Sequence, residues 1–118
     1  MSEIEAKLER MGLALPEALQ TPPGLVVPFS WVVVRGQHIY VSGHIPTNDD
    51  GSVTGPFGKV GAEVTVEQGY EASRRIALGI LGDIKRAIED LDRITGWGRV
   101  LGMVNTGPGF NQTTAVIN

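Results

Sequence analysis

Few side chains in this sequence could carry out chemistry, and this limits the reactions open to it. The chain has no cysteine, and its only histidines are His38 and His44. Neither has a carboxylate or a cysteine at the spacing of metal ligands, so no metal site is predicted. Thiol nucleophiles and disulfides are excluded. The sequence also lacks a G-x-S-x-G motif, so it does not indicate a serine hydrolase.

The dipeptide Ser42-Gly43 is a candidate for binding a ligand. It follows the apolar run HIYV, which places it where a strand is predicted to end. A glycine at a strand end lets a ligand approach the backbone, and its N–H is free once pairing stops. The serine hydroxyl can hold a polar group or a water. Ser-Gly also ends strands without any binding role, and the residues alone leave both interpretations open.

The segment Gly107-Pro108-Gly109 lies between an apolar run and a predicted helix, where a nucleotide-binding fingerprint would lie. The third glycine of that fingerprint is replaced by Gln112, and no lysine of a Walker motif follows. We therefore predict a tight turn here rather than a phosphate site.

A short helix and a hairpin are predicted ahead of the longest helical pattern. Ser2 and Glu5 have the spacing of a capping box, and the apolar spacing that follows predicts an amphipathic helix over residues 2–12. The core is expected to start at about residue 26. Two apolar runs separated by Arg35-Gly36 predict a hairpin.

The longest helical pattern begins after Thr65 and Gln68, which again have capping spacing. Its apolar positions predict a helix that continues to Ile94 and ends at Gly96. The opposite face carries charged residues that we interpret as a solvated surface: Arg74, Arg75, Asp83, Lys85, Arg86 and Glu89.

The predicted strands are apolar at consecutive positions: Val32 to Val34, Ile39 to Val41, and Val100 to Val104. Side chains on both faces of the sheet must then leave water. One long helix can cover one face, so the other needs a second subunit or an element outside this sequence. Oligomerisation is therefore predicted.

Length, composition and net charge indicate the broad class of this protein and the partners it is not expected to bind. The 118 residues, 42% hydrophobic and 19% charged, fit one globular domain over residues 1–118. The net charge is −3 and the basic residues are scattered, which argues against a nucleic-acid or membrane partner. Because no apolar stretch reads as a signal sequence or a membrane span, we expect a cytoplasmic protein.

Several stretches in this order resemble one family: PFSWVVVRGQHIYVSGHIP, a glycine-rich loop with GKVG, a long helix, and RVLGMVNTGPGFNQTTAVIN. The chain from Pro28 to Asn118 resembles the Rid family of reactive intermediate deaminases, also called YjgF-type or endoribonuclease L-PSP proteins. The most specific stretch is VSGHIP after the hairpin. GKVG, PGF and the N-terminal helix resemble the family's longer subgroup.

The resemblance implies an α+β, chorismate-mutase-like fold, with a mixed sheet backed by helices. It also implies a homotrimer with a central barrel and ligand clefts between subunits. Family members hydrolyse enamines and imines such as 2-aminoacrylate to a ketoacid and ammonia, with no cofactor. The resemblance thus implies a hydrolase acting on a C=N bond, whose ligand is a small carboxylate or imine.

The resemblance also implies four substrate-binding residues. Phe29 stands where the family often has a cleft-lining tyrosine, and Ser42 and Gly43 match its Ser-Gly pair, with the Gly43 N–H facing the substrate carboxylate. Asn118 matches an asparagine of the second long helix that faces the cleft. His44 replaces a frequent glutamine.

In the family, an arginine that binds the carboxylate and a glutamate that positions water lie in strands after that helix. This sequence ends before both, so its catalytic residues are unknown and we expect the C-terminal strands to be missing from the chain. Three functions remain open. An imine or enamine deaminase, when complete, is favoured over a non-catalytic trimer that binds a small carboxylate. An endoribonuclease or translation inhibitor is the least expected.

Overall fold

The computed structural model describes residues 2–118 and shows an α+β arrangement. In chain order its elements are helix α1 (Glu3–Arg10), strand β1 (Val32–Arg35), strand β2 (His38–Val41), helix α2 (Val66–Ile88), a 3₁₀ turn (Leu91–Arg93) and helix α3 (Thr113–Ile117). The predicted α+β class is confirmed. Within residues 2–118, no helix combines the length and the apolar character needed to cross a membrane.

The predicted hairpin forms where the sequence places it. Strands β1 and β2 pair antiparallel, with Val32 opposite Val41 and Arg35 opposite His38. Two residues connect them, and Gly36 has a φ of 58°, a left-handed value that glycine adopts without a steric cost. After the turn the chain continues as β2, and Ser42 and Gly43 follow that strand directly.

Both predicted capping boxes are present. Ser2 Oγ accepts the N–H of Glu5 at 3.1 Å, and the Ser2 N–H donates to the Glu5 carboxylate at 3.2 Å. At the start of α2, Thr65 Oγ1 accepts the N–H of Gln68 at 3.1 Å and the Thr65 N–H donates back at 2.9 Å. Each box satisfies backbone donors that the first helical turn leaves unpaired.

Helix α2 ends at Ile88, so the predicted end at Gly96 is wrong. Glu89 has a φ of 71°, outside the helical region, and stops the helix. The Asp90 carboxylate then accepts the N–H of Asp92 at 2.9 Å and begins the 3₁₀ turn. Leu91, on this turn, is fully buried. The apolar spacing continues past the end of α2 because the chain folds back there and buries Leu91 against the helix.

The predicted strand from Val100 to Val104 does not form. Val100, Leu101 and Met103 are 69%, 73% and 88% exposed and lie in irregular chain. A strand is stable only when its backbone groups pair with a neighbour. Here pairing starts later, with the N–H of Val60 donating to the Asn105 carbonyl at 2.8 Å. The regular sheet of residues 2–118 consists of β1 and β2, and the implied mixed sheet is not seen.

Two apolar clusters pack against different parts of α2. One is centred on Ile84, Ile88 and Leu91 and joins the hairpin to the C-terminal half of the helix. The other is centred on Val60, Val64 and Val116 and joins α3 to the start of α2. Helix α2 thus holds the end of β2 and helix α3 at separate positions along its length.

Candidate functional site

The Ser42 hydroxyl anchors the end of β2 to the segment before β1. Its O–H donates to the Ser30 carbonyl at 2.7 Å, and the Ser42 N–H donates to the Trp31 carbonyl at 2.9 Å. The hydroxyl proton is therefore engaged within the chain, whereas the oxygen can still accept a hydrogen bond.

Gly43 presents a free backbone donor. The residue is exposed, and its N–H donates to no acceptor within residues 2–118. A Cβ placed on Gly43 would meet no atom within 4 Å, so the space around it is open to a ligand. The geometry that a binding role requires is present, and the role itself stays a prediction.

His44 is not a surface residue, since only 7% of its side chain is exposed. Its Nδ1 lies 2.6 Å from the Ser42 carbonyl oxygen, and its Nε2 lies 2.8 Å from Oδ2 of Asp83. Both partners are acceptors, so the ring satisfies both bonds only when each nitrogen carries a proton.

Asp83 connects this ring to α2 and to the N-terminal segment. Its other oxygen, Oδ1, accepts from Nη2 and Nε of Arg86 at 2.5 and 3.1 Å. Nη1 of Arg86 donates to the Pro16 carbonyl at 3.1 Å. With 11% of its side chain exposed, Asp83 is not part of a solvated surface, so that interpretation of this residue is wrong. The network joins three separate segments.

The glycines in the middle of α2 are the sequence feature from which the contact between His44 and α2 could have been predicted. A Cβ on Gly79 would lie 3.7 Å from Cδ2 of His44, so the small residue leaves room for the ring beside the helix. Asp83 follows one helical turn later, which places its carboxylate on the same face. Glycine is unfavourable inside a helix, and its presence there indicates a close approach by another element.

Aromatic rings line the approach to this network. Phe29 and Trp31 meet edge to face with centroids 5.1 Å apart, and Trp31 meets His44 in the same way at 5.4 Å. Phe29 is 52% exposed, so much of its ring can contact a ligand. We call Phe29, Trp31, Ser42, Gly43 and His44 the strand-end site.

A small cleft lies behind the strand-end site. Trp31, His44, Thr47, Asp83 and Arg86 are among the residues that line it. Its free volume of about 10 Å³ is close to what one ordered water molecule needs.

Asn118 lies away from the other three predicted binding residues. Helix α3 packs through Val116 against Gly69, whose added Cβ would lie 3.3 Å from Cγ1 of Val116. His44 contacts α2 at Gly79, ten residues further along, which corresponds to roughly 15 Å of helix. A single chain thus brings together Phe29, Ser42 and Gly43 but not Asn118.

The glycine loop before α3 is a turn, as predicted. Gly109 has a φ of 78°, and the Phe110 N–H donates to the Gly107 carbonyl at 3.3 Å. The Gly107 N–H is itself occupied, because it donates to the Val60 carbonyl at 2.9 Å. This donor is therefore not available to a phosphate. Among residues 2–118, no group of three His, Asp or Glu side chains is arranged to hold a metal ion.

Three carboxylates elsewhere have lowered pKa values. The hydrogen bond from Lys85, assisted by the Ser2 N–H, lowers the pKa of Glu5 from 4.5 to about 2. The Ser52 hydroxyl and then its N–H lower the pKa of Asp50, and the Lys59 N–H lowers that of Glu63. The contact between Glu5 and Lys85 links α1 to α2.

Comparison with known sequences identifies a relative. No protein-family model matches the chain. Protein TCP17 of Trypanosoma cruzi is 33% identical over 115 residues, an alignment that covers 98% of this chain and 68% of the relative.

Two solved structures share the fold. Atu1372 of Agrobacterium tumefaciens, a protein of unknown function, is 30% identical with a TM-score of 0.77, over 98% of this chain and 66% of that one. A protein of Shewanella oneidensis MR-1 described as a candidate endoribonuclease is 27% identical with a TM-score of 0.81, over 96% of this chain and 71% of that one. The chain thus spans about two thirds of the length of these proteins.

Proposed function

On the premise of a YjgF/L-PSP-like fold, which the similar solved structures support, we propose that this chain is a deaminase of small enamines or imines that carry a carboxylate. In the proposed reaction, 2-aminoacrylate tautomerises to its imine and water adds to the C=N carbon. The carbon–nitrogen bond then breaks, releasing ammonia and leaving a ketoacid. The strand-end site would hold the substrate carboxylate and orient the reacting carbon toward water.

One observation carries this proposal: the exposed Gly43 N–H, which donates to no acceptor within residues 2–118. A carboxylate accepts strongly from a backbone N–H, because a charged acceptor shortens and strengthens the bond. The half-exposed ring of Phe29 contacts Trp31, which packs against His44 next to Gly43, and it can cover an apolar C=C group. The carboxylate of a small unsaturated acid would thus bind the Gly43 N–H, and its C=C group would contact the Phe29 ring.

A homotrimer is part of the proposal. Exposed apolar side chains occur both on the hairpin and in the irregular segment before α3: Val34, Tyr40, Val100, Leu101 and Met103. Burying such a surface against copies of itself would remove it from water. A neighbouring copy could then bring its Asn118 to the strand-end site, which a single chain does not do.

Binding without turnover is the second candidate function, and the hydrogen bonds of the strand-end site support it. The Ser42 hydroxyl proton is engaged by Ser30, and both ring nitrogens of His44 are engaged. Neither side chain is free to act as a general base in this arrangement. The site would then hold a small carboxylate without activating water.

A ribonuclease is the least supported function. Recognition of an RNA backbone depends on clustered, available cations. The basic side chains on α2 instead contact carboxylates: Arg74, Arg75, Lys85 and Arg86.

The two leading functions are separated by measuring ammonia release from 2-aminoacrylate generated in situ, together with the thermal shift produced by pyruvate. A deaminase accelerates ammonia release above the spontaneous rate, whereas a binding protein gives only the thermal shift. Gly43→Pro removes the N–H and should reduce either signal about 10-fold. Gly43→Ala is the matched control, because it keeps the N–H and there is room for the methyl group. Absence of both signals in the wild type would overturn the proposal.

A further inference from the structure

We infer that His44 and Asp83 are positioning residues for the Gly43 amide, and that the charge of the His44 ring controls how strongly this amide binds a carboxylate. This inference rests on the proposed function, because it assigns a task to the same amide. It adds a specific dependence on pH and on two side chains.

The geometry follows from the peptide group between Ser42 and Gly43. The Ser42 carbonyl and the Gly43 N–H belong to one planar unit, in which they point in opposite directions. Nδ1 of His44 bonds the carbonyl at 2.6 Å, so it fixes the rotation of this plane. The direction of the Gly43 N–H is fixed by the same bond.

Asp83 holds the ring that makes this bond. Its Oδ2 lies 2.8 Å from Nε2 of His44, while its Oδ1 is held by Arg86. The carboxylate is therefore restrained on both sides and cannot turn away without losing its bonds to His44 and Arg86. Trp31 packs edge to face against the His44 ring and restricts it from the side of the hairpin.

The charge of the ring also affects the amide electronically. A charged donor on the Ser42 carbonyl polarises the peptide group and makes its N–H a stronger donor, as in any chain of hydrogen bonds. The charged groups that share a cleft with the ring are Asp83, which contacts it, Arg86 on α2, and Glu17 of the segment before β1. Loss of the ring proton leaves either the Ser42 carbonyl or Asp83 without a donor, so the amide is less well held.

The test follows the Gly43 backbone resonance by ¹⁵N–¹H NMR from about pH 5 to 8, together with the ring protons of His44. Wild-type protein should show one inflection shared by the amide and the ring. His44→Gln should abolish the inflection and weaken pyruvate binding about 3-fold, because a glutamine amide can still donate to the Ser42 carbonyl but carries no charge. Asp83→Asn should move the Gly43 resonance and weaken pyruvate binding about 10-fold.

Glu5→Gln is the matched control, since it removes a different ionic contact to α2 and should leave both readouts unchanged. The inference is overturned if the wild-type amide shows no inflection shared with His44. It is also overturned if Asp83→Asn behaves like the control. Should wild-type protein bind no pyruvate, the carboxylate-binding function fails by itself, and the Gly43 resonance alone still decides whether the pair positions the amide.

Discussion

Asp83 and His44 lie 39 residues apart in the chain, and their side chains meet at 2.8 Å in a nearly buried contact. The contact joins the middle of α2 to the end of the hairpin. It is the polar counterpart of the apolar packing between Ile84 and the strands.

Asp83→Asn should lower the free energy of unfolding by about 1–3 kcal/mol, because it removes the carboxylate that accepts from the buried His44 ring and from Arg86. Urea denaturation at one protein concentration measures this. Glu71→Gln is the control, since its ion pairs with Arg74 and Arg75 at 3.5 and 3.9 Å are exposed. That substitution should cost less than about 0.5 kcal/mol. Equal effects of the two variants would show that the buried network adds no stability.

Acid should weaken the attachment of α1 through Glu5. Its pKa is about 2 in the folded protein and 4.5 ordinarily, so the folded state favours the ionised form. The stabilisation is fully present above about pH 4.5 and is lost as the pH falls toward 2. Glu5→Gln should therefore flatten the fall in Tm across this range.

Lys85→Gln should produce the same flattening, because it removes the partner that lowers the Glu5 pKa most. Glu9→Gln removes an exposed carboxylate of the same helix and serves as the control. Its Tm profile should keep the slope of the wild type. A wild-type slope in Glu5→Gln as well would contradict the prediction.

Glu89→Gly should stabilise the protein by about 1 kcal/mol, because Glu89 has a φ of 71° that costs a residue with a Cβ more than it costs glycine. Glu89→Ala removes the same charge without relieving this conformation. Thermal unfolding of both variants distinguishes the two effects. If Glu89→Ala gains as much stability as Glu89→Gly, the gain comes from loss of the charge and not from the backbone conformation.

Charged substitutions in the exposed apolar segment should dissociate the proposed trimer. Leu101 and Met103 are the most exposed large apolar residues of this segment. The double substitution Leu101→Glu, Met103→Lys should convert a species of three times 12.6 kDa into one of 12.6 kDa in light scattering after size exclusion. A wild-type chain that is monomeric at micromolar concentration would refute the trimer.

Helix caps and turns could be predicted from the sequence, whereas contacts between residues far apart in the chain could not. The capping boxes at Ser2 and Thr65 and the turn at Gly36 depend on residues a few positions apart. Apolar spacing predicts too late an end for α2, because Leu91 keeps that spacing although the chain has left the helix. Burial of Asp83 depends on a histidine 39 residues away, and no local pattern contains that partner.

Apolar composition also predicts a strand at Val100 to Val104 that does not form, for a related reason. The β-branched and apolar residues there suit a strand, but strand stability comes from a paired neighbour rather than from composition. In the described chain this segment has no regular strand beside it. Composition thus indicated an apolar surface correctly but not the backbone structure that presents it.

The packing of α3 has a consequence for Asn118. The helix has five residues, and Val116 is its one buried side chain. Releasing it would expose little apolar surface, so its opening free energy should be well below that of global unfolding. Amide hydrogen exchange in α3 should therefore be fast compared with that of α2. In the proposed trimer, a ligand that contacts Asn118 would then order α3 as it binds.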